Sequence, residues 1–156
     1  MSNIDERIES LGLTLPKVRT TSVANLEKTV RTGRLLYVSG HGPRDYDNNV
    51  VYTGKLGAEI SAEEGYDAAR LCVLGCLTSV KVALGSLDKV VRLVKATGYI
   101  ASDPEFYQQP QVMNGASDLM VEIFGDAGRG ARCAIGVAVI PHNMAMEVEM
   151  ILEVQD

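Results

Sequence analysis

The most suggestive chemical group in this sequence is an arginine set among small apolar residues. Arg132 stands at the start of the run ARCAIGVAVI, with Ala134, Gly136 and Ala138 on its own side of an extended chain. Small neighbours leave space beside a guanidinium, whose planar fork matches a carboxylate with two parallel hydrogen bonds. The same pattern suits an interfacial arginine paired with an acidic side chain, and spacing alone does not separate the two. Two carboxylates follow on the last apolar run, MEVEMILEV. Glu147 and Glu149 share a side with Ile151 and Glu153, opposite Met146, Val148, Met150, Leu152 and Val154. Such a side is ordinarily the solvated face of a sheet. Its chemical alternative sets Glu147 beside Arg132, where it could polarise a water or shuttle a proton.

Other candidates carry less. His41 lies in SGHGP, a glycine-flanked turn that lacks the lysine of a phosphate-binding loop, and no dinucleotide fingerprint occurs. His142 follows Pro141 in a turn and reads as a surface residue. Cys72 and Cys76 face the same way on a helical stretch without further ligands nearby, which points to core packing and to no metal site. Cys133 alternates to the side opposite Arg132 and is therefore expected in the core; it is a candidate nucleophile only if it faces a cleft. Ser117, Asp103 and Asp118 have no spacing that nominates a nucleophile and its base.

Composition narrows the function classes. The chain has 156 residues, with 15 Lys and Arg against 20 Asp and Glu, a net charge of −5. That balance argues against a general nucleic-acid binder, which needs clustered cations. Hydrophobic residues at 46% and charged residues at 22% fit one globular domain over residues 1–156, its apolar mass aliphatic because aromatics are only 5%. Three cysteines cannot pair completely, so a secreted disulfide framework is not expected. No basic leader with an apolar run and no long apolar span appears, and the expectation is a cytoplasmic protein without membrane contact.

The elements that must position these groups follow from periodicity. Ser2 to Leu11 predicts a short helix, ended by Gly12 and Pro16. Leu35 to Ser39 predicts a strand running into a turn, and Val50 to Tyr52 a further short apolar run. Ser61 and Glu64 form a capping box before a long helix with Tyr66, Ala69, Val73, Cys76, Leu77, Val80 and Leu84 on one side, stopped at Gly85. Val90 to Ile100 predicts a strand, Pro104 and Pro110 a loop, and Val112 to Phe124 a second long helix. Ala131 to Ile140 and Met146 to Val154 then predict an antiparallel hairpin. The class is α+β, with two helices on one face of a mixed or antiparallel sheet. Because ARCAIGVAVI is apolar on both sides and the helices cover only one face, a partner subunit is expected over the small side, which carries Arg132 with Ala134, Gly136, Ala138 and Ile140.

Several stretches resemble a known family. LLYVSGHGPRD, TGKLGAEISAEEGYDAARLCVLGCL, LGSLDKVVRLVKATGYIASDPEF and ARCAIGVAVIPHNMAMEVEMILEV are similar to the RidA/YjgF proteins, which also carry the labels endoribonuclease L-PSP and translation initiation inhibitor. The likeness runs from about Val23 onward and leaves about 1–22 as an N-terminal extension. Its most specific part is Arg132, Pro141 nine residues later, and the E-x-E of Glu147 and Glu149. QPQVMNGASDLMVEIFGDAGRGAR looks like a longer branch of the family. The resemblance implies a chorismate-mutase-like fold and a homotrimer with clefts between subunits. It implies hydrolysis of 2-imino or 2-enamino acids to 2-keto acids and ammonia, without metal or organic cofactor. Arg132 would hold the substrate carboxylate and Glu147 would position water, with Cys133 and Ala134 beside the arginine and His41 and Tyr107 lining the cleft from loops. Two positions depart from the family pattern: Ala134 stands where RidA has a cysteine, and Leu26 where it has a tyrosine.

Those departures keep other classes open. A non-enzymatic protein could capture a small carboxylate metabolite in the same cleft. An endoribonuclease would use a local basic patch near Arg129 and Arg132, against the overall acidic balance and with only two phenylalanines to stack on bases. A purely structural or chaperone-like trimer would show no saturable ligand.

Overall fold

Strict alternation along Met146–Val154 decides the architecture. Met146, Val148, Met150, Leu152 and Val154 are buried, and each residue between them is half-exposed. One side of this strand therefore belongs to the core and the other does not. In the computed structural model, which describes residues 3–20 and 24–156, it is the central strand. In chain order the elements are α1 (Ile4–Ser10), β1 (Thr29–Thr32), β2 (Leu35–His41), α2 (Ala62–Leu84), β3 (Val90–Ala101), α3 (Gln109–Phe124), β4 (Ala131–Val137) and β5 (Met146–Val154). The sheet runs β1-β2-β5-β3-β4. The expected α+β class, with α2 and α3 on one face, is what forms.

The last two strands do not form the expected hairpin. β5 pairs antiparallel with both β2 and β3, while β4 lies parallel to β3 at the sheet edge. The reason is the helix between β3 and β4. A parallel neighbour needs a long crossover, and α3 supplies one, seating β4 beside β3 before β5 is reached. The chain then turns back through Pro141–Asn143, where His142 and Asn143 take positive φ values of 59° and 54°. Val50 to Tyr52 makes one isolated bridge, Val50 with Arg44, and is not a strand. β1, whose TVRT carries almost no apolar pattern, has no signal in the sequence beyond its pairing with β2.

The helices begin and end as their caps dictate. Ser61 Oγ accepts from the Glu64 N–H and the Glu64 carboxylate accepts from the Ser61 N–H, at 3.1 and 2.8 Å. Gly85 closes α2 with φ of 78°. Pro110, expected in a loop, sits inside the first turn of α3, where its missing N–H costs nothing. α2 and α3 pack closely at Gly115, where any Cβ would collide with the Tyr66 carbonyl oxygen. Arg70 and Glu122 clamp the pair through two hydrogen bonds of 3.0 and 2.9 Å. Cys72 and Cys76 are wholly buried, as expected. Ser2, where the first helix is expected to start, lies outside the described residues, as do parts of the region about 1–22; the helix itself is capped by Asn3.

Beyond α1 the N-terminal segment packs Leu11, Leu13 and Leu15 against the core. Thr78 of α2 donates to the Pro16 carbonyl, and the Lys17 N–H donates to the Tyr46 carbonyl at 2.9 Å. These bonds lay residues 16–19 across the open end of β2.

The Gly115 contact is testable. Gly115→Ala should destabilise the chain by about 1–3 kcal/mol, because the added methyl meets backbone that cannot rotate away. Urea unfolding followed by circular dichroism reads this directly, and an unchanged midpoint would mean the helices are free to part.

Candidate functional site

Register shows which side chains share a face. Ala96 on β3 pairs with Met150 on one side and Arg132 on the other, so Arg132 lies on the helix-covered face. Thr97 pairs with Glu149 and Cys133, and Tyr99 with Glu147 and Ile135, so these residues share the outer face. Within one chain, Arg132 and Glu147 therefore point to opposite sides of the sheet, two strands apart. Arg132 Nη1 donates to Asn114 Oδ1 at 2.7 Å and to Ser117 Oγ at 3.2 Å, both on α3, which leaves the rest of its fork open.

Cys133 needs correction. Alternation does place it opposite Arg132, but that side is not the core. The helices cover the side of Arg132 and Ala134, where a partner is expected from the sequence, and the side left bare is that of Cys133, which is exposed. Ala134 is half-buried against the core. Tyr107 is 73% exposed and its hydroxyl donates to Glu105 at 3.1 Å, away from the cleft described next.

The cleft, about 480 Å³, opens where β2 runs past β1. Its walls come from residues 16–19, Leu26–Thr29, the turn after His41, and α2 at Gly75 and Ser79. Glu147 reaches it because Gly40 has no side chain; a Cβ there would fall on the Glu147 carboxylate. The two carboxylates of the E-x-E are thereby told apart. Glu149 accepts from the Tyr99 hydroxyl at 3.0 Å. Glu147 accepts no hydrogen bond among the described residues. Burial, reinforced by the charge of Glu149, pushes its pKa above the ordinary carboxylate value, and Lys28 opposes this.

His41 lies on the other face of β2, with room made for its ring by Gly75. Its Nδ1 is 2.6 Å from the Ser39 carbonyl and its Nε2 is 2.8 Å from Ser79 Oγ. A carbonyl only accepts, so Nδ1 carries the proton and Nε2 of the neutral ring accepts from the Ser79 hydroxyl. Burial lowers the His41 pKa to about 4, the Ser39 carbonyl opposes the shift, and the charges of Lys28 and Arg19 add to it. Ser79, Arg19, Lys28 and Arg44 are not marked by any motif in the sequence; the adjacent hydroxyls of Thr78 and Ser79 on the aliphatic side of α2 are the one local signal. Among the described residues, no group of three His, Cys, Asp or Glu side chains is arranged to hold a metal ion.

The family model described as "YjgF/chorismate_mutase-like, putative endoribonuclease" matches residues 5–154. The chain belongs to the RidA/YjgF family. It is 41% identical over 150 residues to Protein TCP17 of Trypanosoma cruzi, covering 96% of this chain and 92% of that one. Its fold superposes on the crystal structure of Atu1372, a protein of unknown function from Agrobacterium tumefaciens, with a TM-score of 0.90, 39% identity, and coverage of 98% and 94%. A structure titled a putative endoribonuclease, from Shewanella oneidensis, gives a TM-score of 0.93 at 32% identity, covering 98% of this chain and 100% of that one. Among the described residues of this family member, no helix is long and apolar enough to cross a membrane.

The His41 geometry has a pH signature. Between the ordinary 6.5 and about 4 the unfolded chain binds a proton there that the folded chain does not. Stability linked to His41 is therefore full above 6.5 and lost as pH falls toward 4, by on the order of 3 kcal/mol. Thermal melts of the wild type and of His41→Gln should diverge across that window, with the variant flatter; parallel curves would contradict the buried neutral ring.

Proposed function

We propose that this protein is a cofactor-independent hydrolase of small carboxylate-bearing imines or enamines, releasing a 2-keto acid and ammonia in clefts shared between the subunits of a homotrimer. The observation that carries this reading is Glu147: a half-buried carboxylate without a hydrogen-bond donor, at the edge of a cleft, with its pKa raised. A base so tuned sits closer to the operating pH than an ordinary carboxylate. Ionised Glu147 takes a proton from water as the water oxygen bonds to the imine carbon. That proton passes to nitrogen, giving the carbinolamine; Glu147 then takes the carbinolamine hydroxyl proton and returns it to the same nitrogen, the C–N bond breaks, and ammonia leaves as the carbonyl forms.

Arg132 holds the substrate carboxylate in this scheme, and it must come from a neighbouring copy. The exposed apolar side of the ARCAIGVAVI segment supports that arrangement: Ile135 is 43% exposed and Val139 is 72% exposed. A second copy would cover this side. The three free thiols fit a reducing compartment, and we place the protein in the cytoplasm. A second reading has its own support. Leu26 lines the cleft without a hydroxyl, which suits a protein that binds a small carboxylate and does not turn it over.

An assay separates the two. With 2-imino acids generated in place by an amino-acid oxidase, the protein should speed keto-acid formation above the spontaneous rate. Glu147→Gln should remove about 10²–10⁴-fold of that acceleration. Arg132→Ala should cost on the order of 2–5 kcal/mol of transition-state binding. If the site is shared, the two inactive variants unfolded and refolded together should regain about a quarter of the wild-type sites by random mixing. A mixture as inactive as its parts would overturn the shared site, and saturable keto-acid binding without turnover would leave the binder.

A further inference from the structure

The cleft holds more positive charge than one carboxylate needs. Lys17, Arg19, Lys28 and Arg44 line it, against Glu27 and Glu147. Lys17 is committed to Asp47 at 2.5 Å and lies over the Tyr46 ring. Arg19, Lys28 and Arg44 form no ion pair among the described residues. They are close enough to act on the same groups. Arg19 and Lys28 both disfavour the charged form of His41, Arg19 also disfavours that of Arg44, and Lys28 favours ionised Glu147.

Arg44 is the clearest case. It is partly buried, and burial is the larger cause of its lowered pKa, with Arg19 the second. Its Nη1 donates to the Asn48 carbonyl at 2.8 Å, which fixes the side chain while the remaining donors stay open. Asn48 itself holds φ of 69° in the turn that presents this carbonyl. Gathering like charges in a half-dry cleft is unfavourable unless an anion offsets it. His41 adds no charge there, because it is neutral near pH 7.

Resting on the reading of this cleft as the substrate site, we propose that its ligand is a dianion: one carboxylate for Arg132 of a neighbouring copy, and a second anionic group, carboxylate or phosphate, seated between Arg19, Lys28 and Arg44. The guanidinium forks suit either group, and Lys28 serves as a point charge. The volume of about 480 Å³ suits a small metabolite. The described lining has no Phe, Tyr or Trp, and of its two imidazoles the His41 ring is already held between the Ser39 carbonyl and Ser79, so it offers little of the stacking platform that a single strand of RNA uses.

Isothermal titration of the full chain with 2-oxoglutarate, 2-oxobutanoate and inorganic phosphate tests this. The dicarboxylate should bind the wild type about tenfold or more tightly than the monocarboxylate. In Lys28→Gln/Arg44→Gln that preference should collapse toward one. Arg19→Gln, at a loop position, should weaken it in the same direction should the double variant fold poorly. Phosphate that displaces 2-oxoglutarate from the wild type but not from the variant marks a phosphate seat, and failure to displace it marks a carboxylate seat; either upholds the proposal. Equal affinities in the wild type, a preference that survives both variants, or an RNA oligonucleotide that saturates the cleft while neither keto acid binds would overturn it. Imine turnover on the same samples keeps the two readings apart. A dianion preference without turnover removes the hydrolase and leaves the seat. Equal kcat/KM for mono- and dicarboxylate imines removes the seat and leaves the hydrolase.

Discussion

The whole molecule depends on β5 being a two-sided strand. Five of its side chains complete the core under α2 and α3, and the alternate ones stand on the outer face. Because it hydrogen-bonds to β2 on one side and β3 on the other, its register is fixed twice. A slip by one residue would expose Met146, Val148, Met150, Leu152 and Val154 and bury three carboxylates. The side chain with the most chemical promise, Glu147, is thus held by the same alternation that holds the core. Its position cannot drift without unfolding the sheet.

The cleft beside it is built by omission. β2 outruns β1, so Gly40 and His41 sit at an unpaired edge. Gly40 leaves space for the carboxylate of Glu147 on one face, and Gly75 leaves space for the His41 ring on the other. The N-terminal segment, tied to Thr78 and Tyr46, then roofs this edge and brings Lys17 and Arg19 over it. A cleft assembled from a strand end, a helix face and a strapped-on segment has no local sequence motif. This is why its cations could not be read from spacing.

What could be read was what is local. The capping box at Ser61, the stop at Gly85, the aliphatic side of α2 and the alternation of β5 are each determined within a few residues, and each formed as expected. What could not be read was pairing. Adjacent apolar runs separated by a short turn suggest a hairpin, yet β4 was already committed to β3 through α3. The same non-locality explains Cys133. Alternation located its side correctly, but which side the helices cover is settled by the sheet as a whole.

The placement of Arg132 turns this topology into a requirement. On the helix-covered face it leans on Asn114 and Ser117, with no carboxylate beside it among the described residues. Glu147 lies on the other face, so no small ligand can touch both within one chain. Either the pair has no joint role, or a second copy supplies one of the two. The exposed apolar residues on the side opposite Arg132 weigh toward the second, since Ile135 on the edge strand and Val139 just beyond it offer a bare apolar surface on which another chain can pack. β4 itself has two sides to satisfy: parallel to β3 at the sheet edge, it carries Arg132 on its helix-covered side and Ile135 on its bare one.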